Sequence, residues 1–332
     1  MKIYITTPNN DTAASFLTPR NWQLLHSIGE VQQNPYDREL TADEVVELAQ
    51  DADVLITCWR TCKYYKEHIL KMPNLKLIAH FAGSVAPVVD QSVYETNVKV
   101  ISGNDVFAKS VAEGCLCYTL AALRRLEHYM DVMRTGGFKE NVFYNRGLFG
   151  KKLGIVGFGS IAKHYLNLVR WFDLEVLIYS SHLSNEEAAQ YGGRTASLEE
   201  IFTECDVISI HASNTPKTRG MITRELMEKM KPDALLVNTA RGAVIDEPAM
   251  FEMLLAGKFY AALDVYAEEP PAPDAPIRQC KNALLMPHMG GPTMDMRAVV
   301  ALEVSKDIAR LGRGEDLQYE ISAAAAARMT GG

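Results

Sequence analysis

The chain is 332 residues long, 48% hydrophobic and 23% charged, with 22 Gly and 14 Pro. That is room for about two domains, and it excludes collagen-like, coiled-coil and wholly disordered classes. A formal net charge of −7 offers no cationic footprint for a nucleic-acid backbone or an anionic membrane surface.

At the N-terminus, MKIYITTPNN turns polar before a signal-peptide core can form. No apolar run approaches the ~18 residues of a spanning helix, so the expected location is the cytoplasm. Short β-branched or apolar runs then alternate with segments of helical period, the pattern of parallel sheets covered by helices. The first set of predicted strands is 2–6, 54–57, 75–79 and 98–102. Residues 109–134 read as one long connecting helix, with Val111, Cys115, Leu116, Leu120, Leu123, Leu126 and Met130 at helical spacing.

A second set follows at 153–156, 175–179, 207–210, 234–238, 260–263 and 284–286. Six strands is the count of a complete doubly wound dinucleotide fold. Residues 294–311 return to helical period, and their position brings the chain back to the first domain. The Ala-rich then Gly-rich end from 322 onward lacks an apolar stripe and is expected to be a frayed helix or disordered tail. The predicted fold class is α/β, with two doubly wound parallel-sheet domains and a cleft between them. A flavodoxin-like substrate domain takes 1–104 and 300–332, and a Rossmann dinucleotide-binding domain takes 105–299. The cysteines, at 58, 62, 115, 117, 205 and 280, form no C-x-x-C pair or metal-ligand pattern and read as buried or incidental thiols.

The segment LGIVGFGSIA (153–162) is a hydrophobic strand running into G-x-G-x-x-A and a helix. Its glycines, Gly157 and Gly159, allow a tight turn and close approach of a pyrophosphate, which the N–H groups around Phe158, Ser160 and Ile161 would meet at the helix N-terminus. An NAD-preferring site usually places a carboxylate on the adenosine ribose about twenty residues later, where this chain reads Tyr179-Ser180-Ser181-His182. Ser180 and Ser181 can bond a ribose hydroxyl or a 2′-phosphate, and a protonated His182 would favour the phosphate. The cofactor is therefore NAD or NADP.

Polar candidates stand at successive strand exits, where open α/β sheets bind ligands. Arg241 follows one strand in VNTARG, Asp264 and Glu269 follow the next in DVYAEEP, and His288 follows the last in MPHMGG. A guanidinium can clamp a carboxylate, and an oriented histidine can serve as acid and base. His211 ends the third strand, and with Ala212 and Thr215 it is expected to line the cofactor cleft. His26, His68, His128 and His164 have no partner in view and read as structural. Trp59-Arg60, past an early strand, could line a specificity pocket for an acidic or phosphorylated group or could lie on the surface.

Taken in order, LGIVGFGSIA, CDVISIHASNTPKTRGMI (205–222), VNTARGAVIDE (237–247), ALDVYAEEP (262–270) and PHMGGPT (287–293) resemble the D-isomer-specific 2-hydroxyacid dehydrogenase family over nearly the whole chain. The resemblance implies hydride transfer between NAD(P)H and a small 2-keto acid or D-2-hydroxy acid. It implies that Arg241 binds the substrate carboxylate and polarises its keto oxygen, that His288 is the acid/base and that Glu269 orients it. It also implies that Asp264 faces the nicotinamide amide, that Thr239 and Ala240 line the ring, and that Gly290 joins the cofactor site. Backbone N–H groups of Ala82, Gly83 and Ser84 would hold the substrate carboxylate, although Ser84-Val85-Ala86-Pro87 departs from the family's usual Gly and Asn/Asp bias. Closure of the domains over substrate is expected, as is a homodimer built on 109–134 and an arm at 135–149. The same fold also serves as a dinucleotide-responsive transcriptional corepressor, which is the alternative function. No metal, nucleic-acid or membrane partner is expected.

Overall fold

The structure is a computed structural model that describes residues 1–139 and 145–331. The chain divides into two compact units, Met1–Ala108 with Pro292–Gly332 and Lys109–Gly291. These divisions differ from those expected at 104/105 and 299/300: the first lies inside helix Asn104–Leu123, where no turn marks the sequence, and the second lies at Gly291-Pro292, just before helix Met294–Arg313.

In unit 1, β1 (Lys2–Ile5), β2 (Glu30–Gln33), β3 (Val54–Thr57), β4 (Leu77–His80) and β5 (Lys99–Ser102) form a parallel sheet in the order β2-β1-β3-β4-β5. This is the flavodoxin-like order. Successive strand residues face opposite sides. Tyr4, Leu55, Ile78 and Val100 enter one core cluster, while Ile3, Ile5, Val54, Ile56, Leu77 and Ala79 enter the other with Leu25, Val304 and Ile308. Strand β2 is absent from the sequence reading because it lies at the sheet edge, and its EVQQ is only half covered, leaving no apolar run to read.

Unit 2 carries β6 (Lys152–Val156), β7 (Glu175–Tyr179), β8 (Gly193–Thr195), β9 (Val207–Ile210), β10 (Leu235–Asn238), β11 (Tyr260–Leu263) and β12 (Ala283–Leu285). Their order is β12-β11-β10-β9-β6-β7-β8, all parallel. This is the dinucleotide-binding order with one further strand. The six expected strands become seven among the described residues, because β8 is a three-residue edge strand, GRT, without a hydrophobic side chain.

The expected single helix over 109–134 is two helices, Asn104–Leu123 and Leu126–Arg134. Arg125 breaks it with a left-handed φ of +49°, its guanidinium 5.8 Å from the Tyr260 ring centroid. Core burial ends at Leu123, and Leu126 and Met130 are each 51% exposed. Helix Asn104–Leu123 is long and apolar enough by length and composition alone to cross a bilayer, contrary to the sequence reading; half of the apolar stretch is buried inside the fold.

The tail is also corrected. Ile321 N–H donates to Val100 O at 2.8 Å, Ser322 caps the helix Ala323–Ala326, Ala326 is fully buried, and Ser84 Oγ donates to Thr330 O at 2.7 Å. Backbone bonds and the packing of Ile321, Ala326 and Met329 dock this segment on unit 1, and so few apolar residues leave no stripe in the sequence. The part of the expected arm at 140–144 lies outside the described residues.

Candidate active site

The glycine loop leaves β6 with Gly157 at φ +94°, hydrogen-bonded through its N–H to Tyr179 O at 2.8 Å. A Cβ at Gly157 would stand 2.7 Å from Ala212 N, so only glycine lets the β6 and β9 exits approach this closely. Gly159 caps helix Ser160–Val169, and a Cβ there would meet nothing within 4 Å. The helix's first backbone bond to the cap comes from Lys163 N–H to Gly159 O, 3.1 Å. The N–H groups of Ser160, Ile161 and Ala162 precede it, as an anion-binding helix start requires. Phe158 packs edge-on to Tyr191 with centroids 5.3 Å apart. Open space at Gly159 next to aligned donors fits the pyrophosphate of a dinucleotide. At the β7 exit Ser180 is half-buried and Ser181 and His182 are exposed, with no carboxylate from Tyr179 to His182.

His211 follows β9. Its Nε2 is 2.9 Å from Ser209 Oγ, its ring centroid is 5.5 Å from that of Tyr165, and burial pushes its pKa down to about 4. Its backbone borders Gly157, whereas its side chain turns toward the core as a neutral imidazole. Thr215 is held in a turn, its N–H donating to Thr218 Oγ1 at 2.9 Å.

Asn238, the last residue of β10, is fully buried and staples the next turn. Its Oδ1 accepts from Ala240 N–H and its Nδ2 donates to Arg241 O, both at 3.0 Å. Thr239 is buried between them. Arg241 donates from Nη1 to Ala240 O at 2.6 Å; burial lowers its pKa while the charge of Glu269 opposes that shift. Gly242 lies against the neighbouring exit loop so tightly that a Cβ would stand 2.0 Å from the Tyr266 carbonyl carbon. The Arg241 turn therefore rests directly on the Tyr266–Ala267 peptide.

Two carboxylates hold successive peptides of this loop. Glu269 Oε1 accepts from Tyr266 N–H at 2.9 Å, and Glu247 Oε1 accepts from Ala267 N–H at 2.7 Å. Glu247 is buried, and burial together with the nearby Glu269 charge raises its pKa. The second oxygen of Glu269 lies 2.6 Å from His288 Nδ1, with the two side chains 35% and 46% exposed. A carboxylate in that position accepts the Nδ1 proton and leaves Nε2 as the outward atom.

His288 has a left-handed φ of +56°, a conformation that costs a non-glycine residue about 1–2 kcal/mol. Asp264, itself 1% exposed, compensates. Its carbonyl accepts from His288 N–H at 2.8 Å, and its two carboxylate oxygens accept from Met289 and Gly290 N–H at 2.7 and 2.8 Å. Unit 2 thus brings Arg241, Glu269 and His288 onto interlocked strand exits. Asn238 and Glu247 were missed from sequence. The only signal was a polar residue ending an otherwise buried strand, and an acid next to the helix cap Asp246.

In unit 1 the loop after β4 is tied down through its carbonyls. Ser102 Oγ donates to Ala82 O at 3.0 Å and also to Gly83 O. Ser84 Oγ accepts from Ala86 N–H at 3.3 Å while donating to Thr330 O. None of the hydrogen bonds among the described residues uses the N–H of Gly83 or Ser84. His80, just before the loop, is buried with Nδ1 2.9 Å from Thr57 Oγ1, and burial pushes its pKa to about 4.

Residues 116–290 match the family model described as the NAD binding domain of D-isomer specific 2-hydroxyacid dehydrogenases. The chain is 32% identical to D-3-phosphoglycerate dehydrogenase of Methanocaldococcus jannaschii over 95% of its own length, and spans 58% of that protein. It is 31% identical to hydroxypyruvate reductase of Thermotoga maritima, covering 81% of this chain and 88% of that one. A phosphoglycerate oxidoreductase from Rhizobium etli has the same fold, with a TM-score of 0.81 at 24% identity over 97% of this chain and 98% of that one.

Proposed function

The chain belongs to the D-isomer-specific 2-hydroxyacid dehydrogenase family, and we propose that it reduces a small 2-keto acid to the D-2-hydroxy acid, with His288 as the acid/base. The observation that carries this reading is the 2.6 Å pair of Glu269 and His288, interlocked with the Arg241 turn on the strand exits of an NAD binding domain.

Bound NADH or NADPH supplies the hydride, and the protein must neutralise the oxygen on which negative charge then grows. Glu269 holds the Nδ1 proton, so that Nε2 of a protonated His288 donates to this oxygen. General acid catalysis of this kind contributes roughly 10² to 10⁴ in rate. Arg241 clamps the substrate carboxylate with its planar fork and adds fixed positive charge, a contribution of about 3–4 kcal/mol for a preorganised donor. The unused N–H groups at Gly83 and Ser84 support a carboxylate-binding role for this loop, with the Ser102 and Ser84 hydroxyls keeping it in shape. Asp264 acts by holding His288 in its left-handed conformation. The exposed row Leu126, Met130 and Met133 supports a homodimer, which sedimentation tests.

The deciding experiment follows oxidation of NADH and of NADPH with glyoxylate, hydroxypyruvate, pyruvate and bulkier or phosphorylated keto acids. Turnover with at least one is expected. Tight dinucleotide binding without turnover of any would instead indicate a dinucleotide-responsive binding protein. With no acid at the β7 exit, the NADH to NADPH ratio of kcat/KM measures what Ser180, Ser181 and His182 recognise.

A further inference from the structure

Strand β5 lies at an edge of the unit 1 sheet, and the chain that follows helix Met294–Arg313 comes back to it. The return is fixed by Asp307, a fully buried carboxylate of that helix. It accepts from Gln318 and Tyr319 N–H, both at 2.8 Å, and Arg310 Nη1 lies 2.9 Å from it. Tyr319 O then accepts from Ser102 N–H at 3.1 Å, Glu320 pairs antiparallel with Ile101, and Ile321 N–H donates to Val100 O. Pairing of this kind covers an exposed edge, and residues 319–321 complete it.

Residues 322–330 go further than an edge requires. Helix Ala323–Ala326 places Ala326, and the chain beyond it Met329, on the core cluster that holds Val85, Val88 and Val93. Thr330 O then receives the Ser84 hydroxyl at 2.7 Å, across 246 positions of sequence. Two serines thereby join this segment to the loop after β4. Ser102 gives its N–H to the segment and its hydroxyl to the Ala82 and Gly83 carbonyls. Ser84 gives its proton to the segment and accepts from Ala86 N–H at 3.3 Å. A peptide is planar, so a carbonyl that is held fixes the direction of the N–H on the next residue. Holding Ala82 O and Gly83 O thus aims the N–H groups of Gly83 and Ser84, the two that no hydrogen bond among the described residues uses.

We propose that residues 319–330 are a positioning strap for this loop: docked on the sheet and on Ser84, they hold the Gly83 and Ser84 N–H groups in the direction that receives the substrate carboxylate. The inference rests on the carboxylate-binding role proposed above for the loop and adds what sets it. The carboxylate is not changed as the hydride moves, so slack in its donors raises KM and leaves kcat.

The test is Ala326→Glu, which puts a carboxylate into a closed apolar contact and undocks the segment, with Ala324→Glu, at an exposed position of the same helix, as the charge-matched control. It reads amide exchange at 86–89, where the Ala86, Val88 and Val89 N–H groups are bonded inside the loop, and steady-state kinetics with the best keto acid. Ala326→Glu should speed exchange at 86–89 about tenfold. It should raise KM about tenfold, the scale of one charge-assisted hydrogen bond, and keep kcat and the dinucleotide Kd within about twofold. Ala324→Glu should change none of these. Ser84→Ala, which cuts one link only, should raise KM about threefold; it and Met329→Glu decide if Ala326→Glu does not fold, as judged by its Tm. Unchanged exchange in Ala326→Glu overturns the strap and leaves the reductase reading standing. Faster exchange with an unchanged KM also overturns it, since the aimed donors then do not meet the carboxylate. So does a loss of kcat as large as the rise in KM, the mark of a fold loosened in general. If wild-type protein turns over no keto acid, the reductase reading and the strap fall together.

Discussion

Unit 1 and unit 2 are parallel sheets with both faces covered, yet they treat their strand exits differently. In unit 2 the exits are cross-braced by ionisable and amide side chains. Asn238 staples the Arg241 turn, Glu247 and Glu269 hold two successive peptides, and Asp264 fastens the loop after His288. In unit 1 the loop after β4 is held by the hydroxyls of Ser84 and Ser102. The difference separates two tasks. Under the proposed reaction, charge that must meet a reacting atom is fixed in advance by a rigid network, whereas the loop after β4 is shaped by hydroxyls that leave the Gly83 and Ser84 N–H groups unused.

The comparison breaks most clearly at His288. His288→Ala should lower kcat by about 10² to 10⁴ while the dinucleotide Kd, followed by fluorescence titration, stays within about twofold. Wild-type turnover in this variant would remove the rigid network's catalytic purpose. Arg241→Lys keeps the charge but loses the planar fork, and should raise the keto-acid KM and lower kcat together, for a combined loss of about 10²-fold in kcat/KM. A change in KM alone would reduce Arg241 to a binding role.

Acid stability compares the units directly, because each buries one neutral histidine, His80 in unit 1 and His211 in unit 2. Both have folded pKa values near 4 against an ordinary value of 6.5. The unfolded chain binds these protons more readily, so their stability is fully present above pH 6.5 and is lost as pH falls toward 4. For His80 this is on the order of 3 kcal/mol. Urea midpoints measured from pH 7 to pH 4 should fall accordingly, and His80→Asn should flatten the decline; an unchanged slope would show that the ring is not kept neutral. The smallest effect is expected at Glu247. Glu247→Ala removes a buried acceptor, costs about 1–2 kcal/mol in unfolding free energy, and should lower kcat through the Tyr266–Ala267 peptide. Glu247→Gln retains the acceptor and should restore both. If Gln behaves as Ala does, the carboxylate's charge rather than its hydrogen bond is what matters.

Much of this molecule is readable before folding. A strand buried on both faces of a parallel sheet must be a nearly continuous apolar run, which is why VLIT, LIAH, VISI and LLVN stand out. Gly157 reports a backbone approach that no side chain tolerates. Arg241, Glu269 and His288 are legible as polar residues at the ends of such runs. Edge strands β2 and β8 are not, since water covers their outer side and relaxes the pattern. The break at Arg125 is invisible because arginine is a good helix former, and only loss of the core beyond Leu123 ends the helix. The docking of Ala326 and the brace of Glu247 depend on residues 20 or more positions apart in the chain. Local composition determined the strands, the turns and the chemical types at their ends; which of those groups meet was decided only when long-range packing fixed their distances.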